Sequence, residues 1–172
     1  MTAEEFEQLY RSAAPGLFAY LRRRTTIEAE DLVAEVFTTA WRRRTELPGP
    51  ELRRAWLFGA ARRLLLAESR RRRHDHEVVE RLVADPGSTV RGGDAHCQQA
   101  VASALGRLDP DDRELIELVE WERLSPAEVA VVLGVRPGTA RVRLHRARQA
   151  LAGDPELAAL VEHRREPVDS GR

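Results

Sequence analysis

The chain has 172 residues, 42% hydrophobic and 33% charged, enough apolar surface for one large or two small helical cores. Its 28 cationic and 28 acidic residues cancel, so only the distribution of charge, not its sum, can point to nucleic acid. Apolar runs fall far short of the roughly 18 residues that cross a bilayer, the acidic start is unlike a signal peptide, and a single cysteine excludes an internal disulfide framework and fits a reducing cytoplasm.

The first predicted helix places Phe6, Leu9, Tyr10, Leu17, Phe18 and Leu21 on its apolar face, with Pro15-Gly16 as a point of kinking or interruption. Arg22, Arg23 and Arg24 suit its C-terminal end, where cations meet the helix dipole. Thr26 is a candidate cap for a second helix, acidic at its start through Glu28, Glu30 and Asp31 and apolar through Leu32 or Val33, Val36, Phe37, Ala40 and Trp41. Those acids either complement the dipole, at roughly a few tenths of a kcal/mol per charge, or form a patch for a basic protein partner.

Leu47-Pro48-Gly49-Pro50 ends that helix. A third begins around Glu51, carries Ala55-Trp56-Leu57, Ala60-Ala61 and Leu64-Leu65 at helical spacing, and ends in Arg70-Arg71-Arg72-Arg73. Four consecutive cations diverge around a helix, so part of the run is solvated or held by phosphates. Aromatic and Arg groups beside a Pro/Gly loop can stack on unpaired bases and track a strand. Residues 42–73 hold eleven Arg against Glu46, Glu51 and Glu68, whereas residues 109–122 hold seven acids and one Arg. Lysine is absent, so every side-chain cation other than histidine is a planar guanidinium.

A short helix at 77–83 and a Gly-rich, polar linker at 85–94 should follow. His74, His76, His96 and Cys97 match no structural zinc spacing, so no metal or other cofactor is expected. Beyond them Val101, Leu105, Leu108, Leu115, Ile116, Leu118 and Val119 mark two helices broken at Asp109-Pro110, with Asp109 capping the second.

The strongest local signal lies at 124–151. Ser125 and Glu128 form a capping box around Pro126, Val129, Val132 and Leu133 share one face, and Gly134 stops the helix. Pro137 then starts a helix whose buried stripe is Ala140, Leu144, Ala147 and Leu151. Gly138, Arg141, Val142, His145, Arg146 and Gln149 project away from that stripe, and residues 134–151 contain five Arg and no acid. Two short helices on a tight glycine turn, the second exposing cations, form a helix-turn-helix whose second helix suits a DNA major groove. Gly153-Asp154-Pro155 ends it, followed by a short helix through Leu157 and Val161 and a disordered tail from 166.

Three of these segments, in order, resemble the bacterial extracytoplasmic-function (ECF) sigma factors. Residues 30–37 with Ala40-Trp41-Arg42 resemble the family's core-binding helix, residues 55–62 with the basic run 70–73 its promoter-melting helix, and residues 138–148 its C-terminal helix-turn-helix. The resemblance implies an all-α protein of two small helical domains joined by a flexible linker: a core-binding and melting domain at 1–74, the linker at 75–99, the helix-turn-helix domain at 100–152 and a tail at 153–172. It implies that Asp31, Leu32, Glu35 and Phe37 meet the clamp helices of the largest subunit of core RNA polymerase. The start-proximal promoter element would fall to Arg53, Arg54, Trp56, Arg62, Arg63, Arg70, Arg71, Arg72 and Arg73. The upstream element would fall to Arg136, Thr139, Arg141, Val142, Arg143, His145, Arg146 and Arg148, with Arg143, Arg146 and Arg148 on phosphates. An anti-sigma protein as inhibitor and a cytoplasmic location without membrane insertion complete the implication.

Some positions depart from the family pattern. Arg63 and Ala67 stand where many members have Asn and Asp, Arg136 replaces a Ser-like cap, and Val142 offers a methyl contact in place of a small polar reader. A conventional regulator with a similar output domain is the competing class, but residues 1–73 show neither the alternating strands nor the pocket-forming fold of a sensor. An enzyme has less support, since there is no phosphate-cradling glycine loop, no nucleophile elbow and no acid/base pair at credible spacing.

Overall fold

Helix α1 (Ala3–Arg22) begins at a capping box of the Thr-x-x-Glu kind: the Glu5 amide donates to Thr2 Oγ1 (3.2 Å) and the Thr2 amide to Glu5 Oε2 (2.9 Å). It runs unbroken through Pro15, because Leu17, Tyr20 and Leu21 beyond the proline are fully buried and hold the last turns on the core. In this computed structural model the described residues are 1–25, 28–76 and 95–165. Thr26, the stretch 77–94 with its expected short helix and linker, and the tail from 166 lie outside them.

Helix α2 (Ala29–Arg42) follows Glu28, which makes no side-chain cap. Its Leu32, Val33, Val36, Phe37 and Ala40 are buried, on the face read from the sequence. Helix α3 (Pro50–His76) starts at the second proline of the breaking loop and packs on both earlier helices through Ala55, Leu57, Phe58 and Ala61.

The C-terminal half contains α4 (Ala95–Gly106), α5 (Pro110–Glu120), α6 (Pro126–Leu133), α7 (Pro137–Ala152) and α8 (Pro155–Arg165). Helix α4 begins inside the stretch assigned to the linker, where Ala95, Gln98, Gln99 and Ala100 are strong helix formers. Asp109 caps α5 by accepting from the Asp111 amide at 3.0 Å. The short helix expected through Leu157 and Val161 is present at 155–165 and packs on α4 and α7. Asp154 caps it, accepting from the Glu156 and Leu157 amides (3.1 and 3.2 Å) and from Arg107 Nε (2.9 Å).

The two halves share one core. Helix α3 lies against α6, and Gly59 permits the approach: a Cβ there would stand 3.6 Å from the Val132 Cα. Leu118, Leu124, Val129 and Val132 thereby join Leu57, Phe58 and Ala61 in a continuous buried cluster. Arg123 adopts φ 56° in the α5–α6 turn, and the Leu124 amide folds back to donate to the Leu118 carbonyl at 3.1 Å. Such a turn from a non-glycine residue is held by its surroundings: Glu122 on one side and Leu124 on the other are both buried.

Candidate nucleic-acid interface

The helix-turn-helix is built as its residues dictate. Ser125 Oγ accepts from the Glu128 amide (3.3 Å) while Glu128 Oε2 accepts from the Ser125 amide (2.8 Å), and Gly134 takes the left-handed φ of 67° that the turn requires. Ala140, Leu144 and Ala147 seat α7 on the bundle. Arg136, Thr139, Arg141, Val142, His145 and Arg146 are exposed, Val142 by 52%, a large apolar surface on a helix otherwise dressed in cations. Arg136 makes no side-chain cap, so the first amides of α7 keep donors available for an acceptor such as a phosphate.

Two of the expected phosphate contacts are engaged within the protein, to different degrees. Arg143 Nε donates to Asp112 Oδ1 at 2.7 Å, with Asp111 at 3.5 Å and Asp109 at 3.8 Å, and its side chain is 25% exposed. The Asp112 hydrogen bond raises its pKa above the usual guanidinium value. Arg143 therefore straps α7 to the start of α5. Arg148 meets Glu120 at 2.8 Å but stays 54% exposed, a surface pair of at most about 1 kcal/mol that a phosphate can displace.

The start-proximal candidates divide similarly. Arg63, Arg70 and Arg71 are exposed, Arg71 paired with Glu68 at 2.5 Å, while the side chains of Arg72 and Arg73 lie outside the described part. Arg63 lies over the half-buried Trp56, 6.0 Å from the ring centroid, a guanidinium–indole pair suited to stacking on a base. Arg53 turns inward toward Glu5 (3.7 Å), and its Nε is buried without a hydrogen-bond partner. Arg54 lies over Phe58 and donates to the Glu122 carbonyl, and Arg62 Nε donates to both oxygens of Glu114 at 3.1 and 2.9 Å.

Those last two belong to a polar seam between the halves that residue order gave no means to find. Arg23 pairs with Glu122 and lies 5.1 Å over Trp121, Arg24 pairs with Glu117, and the Tyr20 hydroxyl donates to Glu114 at 3.2 Å. Burial, reinforced by Glu114, pushes the Tyr20 phenol far above its usual range. Burial also raises the Glu122 carboxyl, against the opposing pull of Arg23 and Arg24.

On α2, Asp31 and Glu35 are exposed, whereas Leu32 and Phe37 are 9% and 4% exposed and belong to the core. The side chains of the expected polymerase-contacting set thus split into two that face solvent and two that hold the helix. Beside them α1 and α2 enclose a groove of about 780 Å³ lined by Phe6, Tyr10, Val33, Phe37 and Trp41, with Glu30, Arg11 and Arg42 at its polar positions. Tyr10 and Trp41 are 47% and 38% exposed, although the sequence placed both on buried faces. Phe6 packs edge-on against Phe37 and Trp41, with centroids 6.0 and 5.0 Å apart.

Known proteins resemble the chain in both halves. The model of sigma-70 region 2 matches residues 9–75 and that of sigma-70 region 4 matches residues 98–151. The ECF RNA polymerase sigma factor SigL of Mycobacterium tuberculosis is 33% identical over 158 residues, 83% of this chain and 84% of that protein. The RNA polymerase sigma factor CarQ of Myxococcus xanthus is 31% identical over 153 residues, covering 86% and 87%. Among solved structures, the sigma factor RpoE of Bartonella quintana, in complex with the anti-sigma factor NepR, superposes with a TM-score of 0.67 at 26% identity over 92% of this chain and 99% of that one. CnrH, in complex with the cytosolic domain of CnrY, gives 0.56 at 26% identity, over 92% and 88%.

Proposed function

The chain belongs to the ECF RNA polymerase sigma factors, and from that premise we propose how its surfaces divide the work of directing core polymerase to promoters. Residues 1–74 bind polymerase and open the start-proximal element, residues 100–152 read the upstream element, and α8 buttresses the reader. The observation that carries this reading is the exposed face of α7, where Arg141, Val142, His145 and Arg146 stand clear of every internal pairing described above. Arg141 suits a guanine edge and Val142 a thymine methyl in the major groove.

On the N-terminal side, Asp31 and Glu35 present carboxylates to the clamp helices of the largest polymerase subunit, beside the aromatic groove of α1 and α2. Trp56 with Arg63 receives an unpaired base, and Arg54, Arg62 and the run from Arg70 hold the strand backbone. None of these steps makes or breaks a covalent bond in the chain; polymerase supplies the chemistry. Since the sigma factor RpoE was captured with the anti-sigma factor NepR, we extend a protein inhibitor to this chain, acting in the cytoplasm.

The test is transcription by core polymerase from a randomised promoter library, with and without the purified chain. Chain-dependent enrichment of a two-element promoter is expected. Tight sequence-specific duplex binding by the chain alone, with no association with core, would instead indicate a conventional regulator.

A further inference from the structure

The reading face of α7 carries one large side chain without a polar atom. Val142 is 52% exposed there, among the exposed guanidiniums of Arg141 and Arg146 and the imidazole of His145. We propose that Val142, leaning over Gly138, reads the C5 methyl of one pyrimidine in the upstream element and no other part of that base. 5-Methylcytosine then serves at that position as thymine does, and C5 methylation of a cytosine placed there strengthens the promoter. This rests on the assignment of α7 to the upstream element.

Two features of α7 build the reader. A helical side chain tilts toward the helix N-terminus, so Val142 covers the turn that carries Gly138, four residues earlier. Gly138 has neither of the usual reasons to be glycine: its backbone is ordinary helix, and a Cβ added to it would meet nothing within 4 Å inside the chain. Its missing side chain instead leaves a notch on the outer face, beside the Val142 methyls, that a C5 methyl can enter. Val142 is β-branched and a helix holds such a side chain largely to one rotamer, so its methyls are fixed before DNA arrives.

The chemistry of the groove decides what a valine can sense. Thymine presents the O4 acceptor and the C5 methyl in the major groove, whereas cytosine presents the N4 amino donor and a bare C5–H. Valine has no donor or acceptor with which to tell O4 from N4, so the methyl is all that it distinguishes. Arg141 and His145 carry the hydrogen-bonding groups that read neighbouring edges. Burial of one methyl is worth about fourfold in binding. Methylation at this position therefore grades promoter strength and does not switch it.

The test uses holoenzyme reconstituted with the full chain, at limiting concentration, on a promoter recovered from the randomised library. Its upstream element is synthesised with each thymine in turn replaced by uracil, which lacks only the methyl, and the initial rate of transcription is measured. At one base pair, uracil should lower the rate about fourfold; with that pair changed to cytosine–guanine, 5-methylcytosine should raise the rate over cytosine by about the same factor. Val142→Ala should abolish both effects, whereas Arg148→Ala should lower every rate and keep both. Gly138→Ala fills the notch: it should abolish the methyl preference while the melting temperature holds or rises, because alanine favours the helix. Uracil equal to thymine at every position, 5-methylcytosine equal to cytosine at the sensitive one, or a methyl preference that survives either Val142→Ala or Gly138→Ala overturns the proposal. A library that yields no upstream element removes α7 from promoter reading altogether; one that yields an element in which uracil equals thymine throughout removes only the methyl reader.

Discussion

Arg143 and Arg141 stand two residues apart on α7 and do different work, because one has carboxylates within reach and the other does not. Arg141 is exposed on the reading face, so Arg141→Ala should cost about 1–3 kcal/mol at one base pair and relax preference there. Arg143→Ala removes the strap to Asp112 and leaves Asp109, Asp111 and Asp112 without their shared cation. Its expected signature is a lower melting temperature and weaker binding to every sequence, with the ranking of bases unchanged. Arg148→Ala should weaken all sequences and flatten the salt dependence while leaving melting nearly alone, since its exposed pair with Glu120 contributes little. Selection from a randomised upstream element, run beside thermal melts, separates the three. Asp154 carries a further prediction. Burial opposes its ionisation, but hydrogen bonds from Arg107 and the Leu157 and Glu156 amides win and hold its pKa below the ordinary aspartate value. A depressed carboxylate stabilises the fold above its unfolded pKa and loses that contribution as pH falls through the folded one. The gap in melting temperature between the unaltered chain and Asp154→Ala should therefore be full at neutral pH and close on acidification.

Helix α2 shows how an element can bear two loads. Phe37, set edge-on to Phe6 and 4.7 Å from the Tyr10 ring, is core, so Phe37→Ala should cost about 3–5 kcal/mol of stability and report folding rather than polymerase contact. Asp31→Arg with Glu35→Arg leaves the buried face intact, and should abolish co-elution with core polymerase while the far-ultraviolet spectrum and melting stay close to those of the unaltered chain. Retained co-elution would remove the acidic face from the proposal. Elements of this kind were legible where a local rule fixes them: the Ser125–Glu128 capping box, the Gly134 turn, the Asp109 cap and the buried stripe of α7 all follow from neighbours within four residues. The continuity of α1 was not, because burial of Leu17, Tyr20 and Leu21 overrides the proline. Exposure of Tyr10 and Trp41 was hidden for a related reason: apolar periodicity marks the face toward a neighbour without saying whether the neighbour reaches far enough to cover it. The seam was the least legible part, since Arg24–Glu117 and Arg23–Glu122 join residues about a hundred positions apart and no spacing rule connects them.

At the scale of the whole molecule, two weak readers on one chain gain effect only when their separation matches that of their DNA elements. In the free chain the α3–α6 contact fixes the distance between the halves; on the proposed division of labour polymerase sets it in holoenzyme, by holding residues 1–74 while α7 reaches upstream. The two states answer differently to a change in promoter spacing. Inserting about 5 base pairs between the elements turns the upstream one through half a helical turn and carries it away from α7. Transcription by holoenzyme should then fall to the level given by a promoter with its upstream element scrambled, whereas binding of the polymerase-free chain to the same duplex should be unaffected, because the proposed start-proximal site takes an unpaired base and an intact duplex offers it none. Transcription that tolerates the insertion would mean that the C-terminal half finds its element on a loose tether, and that polymerase does not fix the distance between the readers.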